Sequence, residues 1–237
     1  MMSQTGNRRR FVAGLVGVPT ALAGSRWFAP PAVAADDAAT PSSVPADQGL
    51  QLLLDGNKRF VAGNLTSLSN LAQDREQVAT GQSPFAVIVS CSDSRVPPEI
   101  VFDQTVGQLF VVRTAGQVID EAARGSIIYG VDFLKAPLLL VLGHSGCGAV
   151  DAAIAALAGN PIPGYAYRFA EGIGPAVQRV LNEPGDQLDN AVRANIEMGV
   201  DQLRTAEPDL AAAVGSGQLT VAGGYYDLAS GEVSIIA

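Results

Sequence analysis

Short apolar runs predict the strands of this protein. Three almost wholly hydrophobic runs lie in the middle of the chain, at Phe85–Ser90, Leu109–Val112 and Leu138–Leu142. Runs of this length are typical of strands that are buried on both faces, as in a parallel sheet. Two further runs, Gln218–Tyr225 and Glu232–Ile236, flank a Ser-Gly turn and predict a closing strand pair.

Apolar residues at helical spacing predict helices between and around these strands. The predicted helices are Gln48–Ala62, Leu68–Thr80, Glu121–Leu134, Ala149–Ala158, Gly174–Leu181 and Gln187–Ala206. Asp47 is expected to be the N-cap of the first helix, and Pro161–Gly172 is expected to form a loop. Because strands alternate with helices, we predict an α/β fold with a mostly parallel central sheet flanked by helices.

The N-terminus has the layout of an export signal of the bacterial twin-arginine type. Asn7-Arg8-Arg9-Arg10-Phe11 is followed by an apolar stretch to about Ala23 and by the small residues Ala32-Val33-Ala34. We therefore predict a signal peptide at 1–35, a flexible lead-in at 36–47 and one catalytic domain at 48–237. The mature protein is expected in the periplasm or outside the cell, without stable membrane insertion, since the apolar stretch is short. An uncleaved anchor or a disordered tail is the alternative.

The net charge of the chain limits the classes of molecule that it is expected to bind. The formal net charge is −8 and the pI is about 4.6. Nucleic-acid binding needs a basic surface, so this balance argues against a nucleic-acid partner. It suits a small neutral or anionic substrate.

Two clusters hold all the thiol and imidazole groups of the chain. Cys91 directly follows the first apolar run, and His144 follows the third with only Gly143 between, three residues before Cys147. The carboxyl ends of parallel strands lie at one edge of a sheet, where α/β proteins bind ligands. Two cysteines and one histidine form a catalytic zinc pattern with an open fourth position. Cys147 is expected to open a helix, whose N-terminal dipole favours the thiolate.

Asp93 and Arg95 are two positions apart on the segment after Cys91 and would face the same side of an extended chain. A carboxylate paired with a guanidinium is kept from the metal, whereas a released Asp93 could bind it and expel water. The pair can therefore act as a gate, and the unreleased Asp93 can orient a zinc-bound nucleophile.

Other interpretations of these residues remain open. The two cysteines could form a disulfide, or Asp93 could complete a closed structural zinc site. The Asp93–Arg95 pair could also be an ordinary salt bridge. Ser92, Ser94 and Ser145 are expected to be hydrogen-bonding loop residues, because the chain has no second histidine to act as their base.

The chain resembles the β-class carbonic anhydrases from about Gln48 to its C-terminus. The resemblance rests on Cys91-Ser92-Asp93-Ser94-Arg95, Phe110-Val111-Val112-Arg113-Thr114-Ala115-Gly116 and Gly143-His144-Ser145-Gly146-Cys147-Gly148. It implies Zn²⁺ on Cys91, His144 and Cys147, and reversible hydration of carbon dioxide by zinc-bound hydroxide with the Asp93/Arg95 dyad. It also implies a homodimer or a higher even-numbered oligomer, with active sites near the interface.

The resemblance implies further roles at single positions. Gln82 matches a glutamine that holds a substrate oxygen, and Gly148 matches a glycine whose backbone N–H faces the same pocket. Ile88 stands where some bacterial members have a tryptophan that favours the closed, aspartate-ligated form, so an open site is expected. Gln117 stands where the family more often has asparagine.

Two other functions fit the same residues. One is hydrolysis of carbonyl sulfide or carbon disulfide on the same fold. The other is a non-catalytic zinc protein that serves metal storage or assembly.

Overall fold

A five-stranded sheet forms the centre of the protein. The structure is a computed structural model that describes residues 42–205 and 207–237. The strands are β1 (Ala86–Cys91), β2 (Leu109–Thr114), β3 (Leu138–His144), β4 (Thr220–Tyr226) and β5 (Val233–Ile235), in the order β2-β1-β3-β4-β5. The first four run parallel, and β5 pairs antiparallel with β4. The predicted α/β fold with a mostly parallel sheet is confirmed.

Helices cover both faces of the sheet. They are α1 (Ala46–Val61), α2 (Leu71–Gln77), α3 (Pro98–Val101), α4 (Glu121–Ile128), α5 (Gly148–Leu157), α6 (Tyr167–Arg179), α7 (Gln187–Thr205) and α8 (Pro208–Gly215). Side chains of α1 and α3 pack on one face, and side chains of α4 to α8 pack on the other. Every residue of β1 and β3 is buried, which explains why their sequences are continuous apolar runs rather than alternating ones.

Several predicted helix boundaries differ from the structure. Asp47 is not the N-cap of α1, because the helix starts after the extended residue Pro45 and Asp47 lies in its first turn. The predicted loop at Pro161–Gly172 is wrong in its second part, since α6 already begins at Tyr167. Glycines interrupt the apolar spacing of α6. One of them, Gly172, is required by packing, since a Cβ there would lie 2.6 Å from the Val118 side chain. The helix predicted to Leu134 ends at Ile128 and continues as a wider π-helical turn.

The described residues belong to one compact unit. The predicted signal peptide at 1–35 and the first half of the predicted lead-in, 36–41, lie outside them. Within the described ranges, every helix is too short or too polar to cross a membrane.

A glycine lets α1 approach the segment that follows the chain's first cysteine. A Cβ on Gly56 would lie 1.7 Å from the carbonyl oxygen of Phe102, at the end of α3. We predict that Gly56→Ala lowers the free energy of unfolding by at least about 2 kcal/mol, because backbone cannot move aside cheaply. Urea denaturation measures this.

Gly125→Ala is the matched control. Gly125 is an exposed residue of α4, and a Cβ there would meet no atom within 4 Å. Alanine should stabilise that helix by about 0.5–1 kcal/mol. A Gly56→Ala protein as stable as the original would contradict this account of the α1 contact.

Candidate metal centre

The chain brings its two cysteines and its histidine to one end of the sheet. Cys91 is the last residue of β1 and His144 is the last residue of β3, and these two strands are hydrogen-bonded neighbours. Cys147 is the N-cap of α5, as predicted, three residues beyond the end of β3. All three residues are buried. The site is therefore formed where two parallel strands end and one helix begins.

The distances between the three side chains suit one metal ion. Their ligand atoms lie within 4.8 Å of one another, and the two Sγ atoms are 3.9 Å apart. Two sulfurs bound to one tetrahedral zinc at about 2.3 Å would be about 3.8 Å apart. The sulfurs of a disulfide would be separated by only about 2.0 Å. Both cysteines are free, so the disulfide considered from the sequence is not present.

The single imidazole has one nitrogen engaged and the other available. His144 Nδ1 lies 3.0 Å from the carbonyl oxygen of Ser145, which can only accept, so Nδ1 carries the hydrogen. Nε2 is buried and has no hydrogen-bond partner among the described residues. A buried nitrogen lone pair of this kind fits a metal ligand whose ring is oriented by its other nitrogen.

The residue after His144 is hydrogen-bonded to the end of β4 and to the segment that follows it. The Ser145 N–H donates to the carbonyl oxygen of Tyr226 at 2.9 Å, and the Ser145 hydroxyl accepts from the N–H of Leu228 at 2.9 Å. Ser145 is therefore a hydrogen-bonding loop residue, as predicted. These bonds hold the carbonyl group that orients His144.

Backbone N–H groups surround both sulfurs. Cys91 Sγ accepts from the N–H of Gly116 at 3.3 Å and of Asp93 at 3.4 Å. A hydrogen bond from the Cys147 thiol, helped by these N–H groups, lowers the pKa of Cys91, whereas the contact with Cys91 and burial raise the pKa of Cys147. Two buried thiols in contact, one of them accepting from two backbone N–H groups, form a donor set suited to a cation that replaces their protons.

Asp93 and Arg95 are paired beside the three ligands. Arg95 Nε donates to Asp93 Oδ1 at 2.9 Å and Nη2 donates to Oδ2 at 2.7 Å. The Arg95 hydrogen bonds hold the pKa of Asp93 well below its usual range. The two residues face each other across a turn, since the Arg95 N–H also donates to Oδ1 at 2.9 Å. Asp93 Oδ2 remains 3.9 Å from His144 Nε2, close to the ligand group but outside hydrogen-bond distance.

The two predicted substrate-binding residues lie in different places. Gly148 is the first residue of α5, directly after Cys147, and its exposed backbone has no atom within 4 Å of where a Cβ would be. Gln82 is exposed and precedes β1, whereas Cys91 ends it. Six residues of strand span about 17 Å. Gln82 therefore precedes the end of β1 that is opposite to Cys91.

Gln117 is buried close to His144, one of the three candidate metal ligands. It has a left-handed backbone with φ of 46°, which glutamine seldom adopts, and its amide has no hydrogen-bond partner among the described residues. Its Nε2 lies 2.9 Å from where a Cβ of Gly143 would be. The amide thus packs on the residue before His144. Together with Ile196, which lies 2.6 Å from the same point, it leaves no room for a side chain at Gly143.

Sequence reasoning missed two groups that shape the site. The Gly116 N–H reaches Cys91 Sγ, and the Gly116 carbonyl oxygen accepts from the side chain of the buried Asn195 at 2.9 Å. Asn195 lies 79 residues from Gly116 on α7, so no local spacing could reveal the contact.

A family model described as carbonic anhydrase matches residues 86–233, a range that contains all three ligand residues. The chain belongs to the carbonic anhydrase family. It is 41% identical over 181 residues to carbonic anhydrase 2 of Mycobacterium tuberculosis, covering 76% of this chain and 87% of that one. It is 40% identical over 184 residues to the carbonic anhydrase of Mycolicibacterium smegmatis, covering 77% and 89%.

Solved structures place the chain in the β class. The β-carbonic anhydrase CcaA superposes with a TM-score of 0.65 at 27% identity, covering 79% of this chain and 91% of that one. Coccomyxa β-carbonic anhydrase in complex with acetazolamide gives 0.62 at 28% identity, covering 79% and 86%. The protein is therefore an enzyme of the β-carbonic anhydrase family, which argues against the non-catalytic zinc protein considered from the sequence.

Proposed function

We propose that this enzyme catalyses the reversible hydration of carbon dioxide to bicarbonate and a proton, with one Zn²⁺ per chain held by Cys91, His144 and Cys147. The observation that supports this most strongly is the convergence of three buried ligand atoms within 4.8 Å. Zinc acts as a Lewis acid and lowers the pKa of coordinated water, to about 7 in the three-histidine carbonic anhydrases of unrelated fold, which supplies a nucleophile at neutral pH.

Asp93 is proposed to orient the attacking oxygen. Its low pKa keeps it ionised at neutral pH, so it can only accept hydrogen bonds. One carboxylate oxygen lies near the ligand group while Arg95 holds both oxygens in place. In this arrangement Asp93 accepts a hydrogen bond from the nucleophile and turns its lone pair toward the substrate carbon.

The same pair is proposed to act as a gate. With Asp93 bound to Arg95, Cys91, His144 and Cys147 would hold the metal and would leave a coordination position for solvent. If Asp93 left Arg95, its carboxylate could take that position and stop turnover. Ile88, which lies fully buried in β1, offers no polar group to favour that closed form.

Gly148 is proposed to contribute to substrate binding through its backbone. It lies at the N-terminal end of α5, where the first N–H groups have no partner inside the helix and the helix dipole is positive. The exposed glycine leaves room for a small anion beside Cys147. Charge that develops on the substrate oxygens as bicarbonate forms would be stabilised there.

Stopped-flow measurement of carbon dioxide hydration tests the proposal. We predict that Asp93→Asn keeps zinc at one equivalent but lowers kcat/KM by roughly 100-fold or more, because the neutral amide has only one accepting oxygen and cannot both pair with Arg95 and accept from the nucleophile. Asp201→Asn, which changes an exposed carboxylate on α7, is the matched control and should behave like the original protein. Chelation should abolish activity and zinc should restore it.

Other results would contradict the proposal. Full activity of Asp93→Asn would show that the Asp93/Arg95 dyad has no role in turnover. If the zinc-loaded protein hydrolysed carbonyl sulfide or carbon disulfide and did not hydrate carbon dioxide, the proposed substrate would be wrong.

The position of Gln82 leads us to propose a dimer with shared sites. Gln82 can bind substrate only in a partner's site, because β1 separates it from its own. The edge strand β2 lies next to Cys91, since Thr114 pairs with Cys91 in the ladder, and its outer side has no neighbouring strand among the described residues. The exposed rings of Tyr129 and Phe133 stack on each other with their centroids 5.5 Å apart, and Tyr129 also contacts Phe110 of β2. One β-carbonic anhydrase neighbour, from Sordaria macrospora, is described as tetrameric; at 23% identity it shows the fold alone.

Subunit mixing tests this arrangement. We predict that Gln82→Ala and Cys91→Ser are each nearly inactive. Unfolded together and refolded in equal amounts, they should regain about a quarter of the original activity, since half of the subunits enter mixed dimers and one site in each is complete. Gln82→Ala unfolded and refolded on its own is the control. If mixing the two variants restored no activity, the shared site would be contradicted.

We also propose that residues 1–35 direct export to the periplasm or beyond, with 36–47 as a flexible lead-in and 48–237 as the catalytic domain. The support is the twin-arginine pattern and the small residues at Ala32-Val33-Ala34. N-terminal sequencing of protein recovered from outside the cytoplasm should give a start near residue 35. Protein found only in the cytoplasm with Met1 intact would contradict export.

A further inference from the structure

Arg113 binds the backbone carbonyl groups of the two residues on either side of Ser92, which are Cys91 and Asp93. It lies near the end of β2, and its Nε donates to the carbonyl oxygen of Cys91 at 3.0 Å. Its Nη2 donates to the carbonyl oxygen of Asp93 at 2.6 Å. One rigid, planar guanidinium thus joins the peptide of a metal ligand to the peptide of the gating carboxylate.

The segment after Cys91 has few other links to the sheet. The paired ladder between β1 and β2 ends at Cys91 and Thr114, and one more bond runs from the Ser92 N–H to the Thr114 carbonyl oxygen at 2.9 Å. Beyond Ser92, the bonds of the turn itself are local, such as the one from the Val96 N–H to the Asp93 carbonyl oxygen at 3.0 Å. Arg113 therefore supplies the outside contact that fixes the direction of Asp93.

The pair with Arg95 is weak support by itself. The Arg95 side chain is 59% exposed, and exposed ion pairs contribute little because water screens them. A dication close to Asp93 attracts the same carboxylate. Arg113 adds two hydrogen bonds from a charged donor, at 3.0 and 2.6 Å, and they hold the backbone of the turn rather than the carboxylate itself.

We propose that Arg113 is a positioning residue that keeps the turn in the form in which Asp93 pairs with Arg95 instead of reaching the metal. The proposal rests on the proposed function only in that the metal is taken to be bound by Cys91, His144 and Cys147. Arg113 touches neither metal nor substrate and acts through the backbone of Asp93. Without it, the fraction of molecules with an open fourth position falls.

Anion binding to the cobalt-substituted protein measures that fraction independently of turnover. Azide should bind at the open position and change the visible spectrum. Because apparent affinity scales with the binding-competent fraction, we predict that Arg113→Gln weakens azide binding at least tenfold at full cobalt content. Adding Asp93→Asn to Arg113→Gln should restore azide binding to that of Asp93→Asn alone, since the competing carboxylate is gone.

Two further variants keep the test decisive. Arg168→Gln is the matched control, because Arg168 is a 58% exposed arginine on α6 whose side chain pairs with Glu171. It should bind azide like the original protein. Arg113→Lys keeps the charge but cannot span both carbonyl groups, and it should also bind azide more weakly even if Arg113→Gln does not fold.

Azide affinities of Arg113→Gln and Arg113→Lys equal to the original would overturn the positioning role. So would a loss in Arg113→Gln that Asp93→Asn does not reverse. These outcomes differ from failure of the proposed function, in which the original protein would bind cobalt and azide normally and still not hydrate carbon dioxide.

Discussion

The parallel pairing of β1 with β3 is the constraint on which the site depends. It brings Cys91 and His144, 53 positions apart in sequence, to the same edge of the sheet. Because both strands are buried along their whole length, a shift of either one would expose apolar side chains, so the apolar core fixes the register of the ligands. The helix that begins after Cys147 then adds the third ligand atom at the same place. The metal centre is thus a consequence of how the hydrophobic core packs.

Around that fixed set, the chemistry depends on where one carboxylate lies. Asp93 is close enough to the ligands to serve either as an acceptor for the nucleophile or as a competing ligand. Arg95 binds its carboxylate and Arg113 binds its carbonyl oxygen, so the residue is held at both ends. Activity and inhibition would then be two positions of the same turn, separated by a few hydrogen bonds.

The sequence predicted the parts of the protein that depend on local pattern. The apolar runs gave β1 and β3 nearly to the residue, and the two short motifs marked the ligands and Asp93. The start of α6 was missed because Gly172 and Gly174 interrupt its apolar spacing. The contact between Asn195 and Gly116 joins residues 79 positions apart and carries no local signal. Gln82 was assigned to substrate binding by the family resemblance alone, and the direction of β1 shows that it precedes the far end of the strand.

X-ray absorption at the zinc edge of the purified, zinc-loaded protein tests the central claim most directly. The account predicts a first shell of two sulfur atoms at about 2.3 Å and two nitrogen or oxygen atoms at about 2.0–2.1 Å, one of which exchanges with added anion. A shell without sulfur, with the thiols joined in a disulfide, would contradict the convergence of Cys91, His144 and Cys147 on one ion. A fourth ligand that no anion displaces would contradict the open position.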